Sequence, residues 1–189
     1  MARKGISVTA VDNLADYINE VREALQREQL PVDCIQTDVL DYEPEEMFDL
    51  VICLGNNLSF FDKEETETLF SMIGTHTKPG GWFIANTWTI AEVVFKNFTS
   101  NAWSEINGLR YLTNSKMFFN PTRIEIETII TPQGAEEERK QAVDYIYSLN
   151  EMQVTLEKAG FAIKEIWSIP GKRKFTLGEL RAYIVAQKV

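Results

Sequence analysis

The chain is predicted to fold as an α/β protein around a mostly parallel sheet. Three observations carry this. Short apolar runs end at polar or glycine-bearing turns, and segments with helical spacing follow two of them. The order strand, helix, strand, strand, helix, strand calls for right-handed crossovers between parallel strands. The clearest run is Phe48 to Phe61, FDLVICLGNNLSFF. Its core, Leu50 to Leu54, is almost uninterrupted apolar sequence, the pattern of a strand buried on both faces. Polarity then changes abruptly at Gly55-Asn56-Asn57. Ligands of open α/β sheets sit just beyond the carboxyl ends of the strands. Gly55 permits close backbone approach, and Asn56 and Asn57 supply amide donors and acceptors. The plainer alternative is that Gly-Asn-Asn is only a turn.

Ile6 to Val11 alternates weakly and ends in Asp12, as a strand. Asn13 is placed to cap a helix through about Gln29, in which Leu14, Ile18, Val21 and Leu25 recur at helical spacing before Pro31. Val32 to Ile35 is a second strand, ending in Thr37-Asp38, and 48–54 is the third. Asp62 with Glu65 three residues on forms a capping-box pattern for a helix over about 63–76, burying Leu69, Phe70, Met72 and Ile73. Lys78-Pro79-Gly80-Gly81 reads as a stop, and Trp82 to Thr87 as a fourth strand. Thr89 to about Phe98 reads as a short helix.

The rhythm then changes. Arg110 to Phe119 and Thr122 to Thr131 read as strands joined at Asn120-Pro121, with Ile124, Ile126 and Ile130 on one buried face. A turn at Gln133-Gly134 leads to a third strand over 137–147. This is a small antiparallel β insertion, at about 100–147, expected to act as a lid after the fourth visible strand. Ser148 and Glu151 form a second capping-box pattern for a helix that stops at Gly160. Phe161 to Ile169 and Leu180 to Lys188 close the chain as an antiparallel pair. The whole of 1–189 is read as one domain.

With 189 residues the chain is long enough for a real core. Its net charge of −9 is unfavourable for a surface that tracks phosphates, so a nucleic-acid partner is not expected, despite Lys172-Arg173-Lys174. No apolar run approaches the roughly 20 residues needed to span a bilayer, so no membrane is expected. Cys34 and Cys53 fall in predicted strands without zinc spacing; reduced thiols, a cytoplasmic location and no metal are expected.

An acidic residue ends the first strand and an aspartate follows the second. KPGG precedes the fourth strand, and LEKAGF precedes the terminal pair. With the α/β order, these features resemble class I S-adenosylmethionine-dependent methyltransferases, which have a Rossmann-like fold. The stretch ICLGNNLSFF is similar to that of small-molecule N-methyltransferases, including the glycine and sarcosine enzymes. The resemblance implies S-adenosyl-L-methionine as cofactor and methyl transfer to a small molecule, at an amine nitrogen. It places Asp12, with Asn13, at the ribose, and Asp38 with the Val39 backbone at the adenine. Leu54 and Gly55 fall beside the methionine portion. Asn56 becomes the catalytic residue facing the substrate, with Asn57 and Trp88 lining the same pocket. Read without the resemblance, Asp12 is a helix cap and Asp38 a solvated loop aspartate.

The sequence departs from the family twice. Asn86-Thr87-Trp88-Thr89 stands where glycine methyltransferases carry a basic residue for the substrate carboxylate. The Gly-rich cofactor turn is missing, and a ribose-binding acid normally lies about 20 residues beyond such a turn. Ala2-Arg3-Lys4-Gly5 reads as the tail of a helix with a glycine stop. The chain is therefore expected to be N-terminally truncated. It should form a dimer or larger homo-oligomer, or fold poorly alone, and should bind S-adenosyl-L-methionine weakly or not at all. Asp12 and Asn56 should end different parallel strands at one edge of one sheet.

Methyl transfer from a sulfonium is an in-line displacement that needs alignment more than covalent help. No strong base is evident. His76, the sole histidine, falls at the far edge of the sheet and is expected to be structural or solvent-facing. Trp88, Trp103, Tyr111 and Tyr147 form either an aromatic wall for a cation or, as favoured, the insertion's own small core. Two other functions compete: a truncated pseudo-methyltransferase acting through protein contacts, and a nicotinamide-dependent dehydrogenase.

Overall fold

The computed structural model describes residues 1–132 and 136–189; the predicted turn at Gln133-Gly134 lies outside them. The chain divides into two compact units, Met1–Glu45 and Glu46–Val189.

The first unit opens with a 3-10 turn, Ala2–Lys4, closed by Gly5 in the left-handed conformation. Strand β1 (Val8–Asp12), helix α1 (Ala15–Glu28) and strand β2 (Val32–Gln36) follow. β1 and β2 pair in parallel, from Val8 opposite Val32 to Asp12 opposite Gln36. Helix α1 starts later than expected. Leu14 is its N-cap, and Asn13 does not cap it; instead the Asp12 carboxylate accepts the Leu14 N–H at 2.8 Å. Of the predicted apolar stripe only Ile18 is fully buried, while Leu14 is 52% exposed.

The second unit begins with β3 (Phe48–Cys53), α2 (Lys63–Thr75) and β4 (Thr77–Thr87). Then come α3 (Ala91–Asn97), β5 (Asn101–Ile106), β6 (Leu109–Phe119), β7 (Thr122–Pro132) and β8 (Glu138–Tyr145). Helix α4 (Leu149–Lys158), β9 (Phe161–Ile169), the two-residue β10 (Arg173–Lys174) and β11 (Ala182–Lys188) complete it. Its main sheet has the order β10-β9-β11-β4-β3. β3 and β4 are parallel, and β11 lies antiparallel to both β4 and β9. β3, β4 and β9 therefore run one way and β11 the other, the expected α/β frame with its terminal antiparallel pair. β5 to β8 form a separate four-stranded antiparallel sheet, one strand more than the sequence suggests.

Both capping boxes are present, Asp62 with Glu65 on α2 and Ser148 with Glu151 on α4. One face of the main sheet is closely packed. Phe83, Ala85, Ile184 and Ala186 are at most 1% exposed, and Phe83 packs edge-on against Phe70 and tilted against Phe161, at centroid distances of 5.6 and 6.0 Å. The other face is less covered: Ile52 is 40% exposed and Leu54, just past β3, 48%. The apolar run is thus not buried on both faces, and β3 is the edge strand of its sheet.

The KPGG segment lies inside β4 rather than before it. Its partner register shifts between Phe48 and Leu50, so the segment bulges without ending the strand. A Cβ on Gly81 would come within 2.9 Å of the Thr77 side chain and the Lys78 carbonyl, which explains glycine there. Among the described residues no helix is long and apolar enough to cross a membrane.

Candidate active site

In the first unit the two predicted aspartates lie at the same, carboxyl edge of the β1–β2 pair. Asp12 ends β1 and is half-buried; one of its oxygens takes the Leu14 N–H, and its main-chain carbonyl takes the Thr37 N–H at 3.1 Å. Asp38 follows β2, exposed, and caps a 3-10 turn, Val39–Asp41, through the Leu40 N–H at 2.9 Å. Each carboxylate gives one oxygen to a local N–H. The other oxygen of each has no protein partner among the described residues, and a diol or an amino group needs such an acceptor. Asn13 and Val39 adjoin these two groups, Asn13 exposed and Val39 half-buried.

In the second unit β3 ends in two consecutive left-handed residues, Gly55 (φ 85°) and Asn56 (φ 69°). Asparagine tolerates that conformation better than most residues. Two asparagines then clasp the ends of β3 and β4 together. Asn86 accepts the Gly55 N–H on its side-chain oxygen at 2.9 Å and the Asn56 N–H on its main-chain oxygen at 3.2 Å. The Asn56 side chain, 4% exposed, is entirely committed. Its oxygen accepts from Thr87 Oγ1 (2.9 Å), Trp88 N (2.8 Å) and Thr89 N (2.9 Å), and its nitrogen donates to Ser59 Oγ (2.9 Å) and Thr89 Oγ1 (2.8 Å). Leu54, Gly55, Asn57 and Trp88 are exposed around this clasp.

Asp12 and Asn56 do not share a sheet. They follow strands of the two-stranded and the five-stranded sheets, because no described strand pairs with both β1 and β3. His76 is structural, as expected: it caps α2, and its Nδ1, in the tautomer that carries a proton there, donates to the Met72 carbonyl at 3.0 Å. The four aromatic residues form neither a single wall nor a shared core. Trp103 faces with Leu112 and Tyr111 with Ser104, on opposite faces of the four-stranded sheet, and Trp103 is 70% exposed. Tyr147 instead donates its hydroxyl to the Phe61 carbonyl at 3.0 Å.

Residues 1–81 match the family described as a methyltransferase domain. Solved structures with the same fold include the CcbJ methyltransferase from Streptomyces caelestis, at 16% identity and a TM-score of 0.85, covering all of this chain and 82% of that one. A second is an S-adenosylmethionine-dependent methyltransferase from Clostridium acetobutylicum, at 14% identity and a TM-score of 0.81, covering 97% and 75%. A third is the sugar N-methyltransferase KedS8 from a Streptoalloteichus species, at 15% identity and a TM-score of 0.64, covering 96% and 79%. No curated protein matches the chain in sequence.

One charged residue beside the clasp escapes a reading of the sequence. Asp144, on β8, lies against Ser59 Oγ at 3.1 Å and Thr89 Oγ1 at 3.5 Å. Burial pushes its carboxyl above the usual aspartate range, and the two hydroxyls only partly offset that. Asp144 is 85 residues from Ser59 in sequence. No local pattern marks it out.

Proposed function

We propose that the chain transfers a methyl group from S-adenosyl-L-methionine to an amine nitrogen of a small molecule. The methyltransferase-domain match over residues 1–81 carries this reading; the sugar N-methyltransferase among the structural neighbours supports nitrogen as the acceptor. In the first unit we assign Asp12, with Asn13, to the ribose hydroxyls and Asp38, with Val39, to the adenine. The unpartnered carboxylate oxygens fit those groups. In the second unit we assign Leu54 and Gly55 to the methionine portion, and Asn57 and Trp88, both exposed, to the acceptor. Asn56 serves as a positioning residue, since all its side-chain hydrogen bonds go to the protein. It fixes Trp88 and Thr89 relative to the end of β3.

When bound, the cofactor supplies a methyl group on a positively charged sulfur. The chain's part is to hold the acceptor in line with it, and fixing that orientation is worth several kcal/mol of barrier. A cytoplasmic location belongs to the same proposal, because Cys34 and Cys53 are both free thiols.

Calorimetry with S-adenosyl-L-methionine tests the reading. In a chain extended upstream through a Gly-rich turn, Asp12→Ala is expected to weaken binding about ten-fold or more, as lost hydrogen bonds to a bound diol imply. Unchanged affinity removes Asp12 from the site, and no binding by the extended chain overturns the proposal.

A further inference from the structure

We infer that Asp144 is the group that receives the acceptor's amine, making a primary or secondary amine the substrate class. The inference rests on the methyltransferase reading and deepens it. A carboxylate offers about four acceptor sites, and few donors reach this one. The Asn56 amide hydrogens go to Ser59 Oγ and Thr89 Oγ1, which leaves each hydroxyl one hydrogen to give. That of Ser59 is contested between the Asn56 carbonyl at 2.9 Å and Asp144 at 3.1 Å. That of Thr89 reaches Asp144 only at 3.5 Å. No ion pair among the described residues includes Asp144. A half-buried carboxylate is thus held in place by weak donors and lacks a cation, in a setting where unpaired charge is costly.

Its position points the same way. Ser59 and Thr89 belong to the segments that leave the carboxyl ends of β3 and β4, where α/β folds bind ligands. Asp144 reaches them from the antiparallel sheet, on the same face as Ile124. The free acceptor capacity of Asp144 therefore lies beside the Asn56 clasp, and an N–H donor fills it.

The chemistry balances. An ammonium acceptor gives one proton to the Asp144 carboxylate: the N–H bond breaks, an O–H bond forms, and the electron pair stays on nitrogen. That lone pair then forms the N–C bond to the cofactor methyl while the S–C bond breaks toward sulfur. A methylated ammonium and a neutral thioether result. The raised proton affinity of the buried carboxylate favours the first step.

Carbon-13 NMR of the Asp144 carboxyl, assigned through the backbone, tests this. The protein is titrated at constant ionic strength with two matched pairs, glucosamine against glucose and ethanolamine against ethylene glycol. At least one amine is expected to move the Asp144 resonance at about ten-fold lower concentration than its hydroxyl partner, and Asp144→Asn is expected to abolish binding of that amine. If neither amine outperforms its partner, or if Asp144→Asn binds the amine unchanged, the inference is overturned. The wild-type titration decides the matter even if the variant folds poorly. Calorimetry with S-adenosyl-L-methionine on the same sample separates the failures. Cofactor binding with a silent Asp144 sinks only this inference, and absent cofactor binding by a chain extended upstream through a Gly-rich turn sinks the methyltransferase reading.

Discussion

The two units finish their strands in opposite ways. In Met1–Glu45 the polar groups at the strand ends are carboxylates that satisfy one N–H each and keep an oxygen free. In Glu46–Val189 they are amides turned inward, with every side-chain donor and acceptor of Asn56 used by the protein. A strand-end carboxylate with a free oxygen can serve a ligand. A saturated amide serves the loop, and ligand contact passes to its exposed neighbours. The packing differs in the same direction. Ile18 and Pro44 are the buried apolar residues of the first unit among the described residues, whereas the second has a core of aromatic and aliphatic side chains.

The largest expected effect comes from breaking that core. Phe83→Ala removes a ring with 0% exposure that touches two others, and a loss of about 3–5 kcal/mol is expected in denaturant titrations. Hydrogen exchange sharpens the contrast. In the parent chain the amides of β4 and β11 should be protected far longer than those of β1 and β2, because protection follows buried apolar contact. Equal protection in both units would erase the difference in packing.

Asn56→Ala tests the inward-turned clasp. It strands the Thr87 hydroxyl and the Trp88 N–H and leaves the Thr89 N–H only its longer bond to Thr87 Oγ1 at 3.2 Å, and each unmet buried group costs about 1–3 kcal/mol. Partial rehydration makes about 3 kcal/mol the expected total. A loss under roughly 0.5 kcal/mol, the range of ordinary surface substitutions, would show that the clasp is not structural.

How far the sequence reveals all this depends on how local each signal is. The capping boxes Asp62/Glu65 and Ser148/Glu151 are readable because donor and acceptor lie three residues apart. β6 and β7 are readable from alternation around Asn120-Pro121. β5 is not, because all of NAWSEI is exposed and it has no hydrophobic period to detect. KPGG reads as a stop because glycine and proline signal turns, and a bulge that depends on the partner strand has the same local chemistry. In the site, Asp12 and Asp38 are legible as strand-end acids. The commitment of Asn56 depends on Thr87 and Thr89, and the placement of Asp144 on a fold that brings β8 to Ser59. Neither relation has a sequence period.

Cys53 offers a gentler probe of burial in the second unit. Burial pushes its thiol from 9.0 up to about 11. The thiolate is the reactive form, so a rise of that size leaves roughly 100-fold less of it at neutral pH than an ordinary thiol has. Alkylation of Cys53 in the folded protein should be correspondingly slow, and should quicken about ten-fold for each step of one in pH until pH approaches that value. Rapid neutral labelling of Cys53 would show that the end of β3 opens readily.

The smallest effect expected is a slope, and it bears on the polar network that joins β8 to the clasp. Asp144 has its carboxyl raised by burial, with the Ser59 and Thr89 hydroxyls opposing; no charged side chain is among the causes. The sign follows from proton counting. Between the unfolded value and the raised folded value, the folded state holds more protons than the unfolded state. Stability therefore falls as pH rises through that window, and levels off once Asp144 is ionised in both states. Asp144→Asn keeps the shape but cannot ionise, so it should remove that part of the slope. Relative to the parent, the variant should be least favourable at acid pH and gain ground as pH rises past the ordinary aspartate range. Urea titrations of both proteins across that range, compared as differences, isolate this contribution from every other carboxylate. A constant difference would mean that Asp144 is free in water in the folded protein, and the weakly satisfied carboxylate on which the amine assignment rests would not exist.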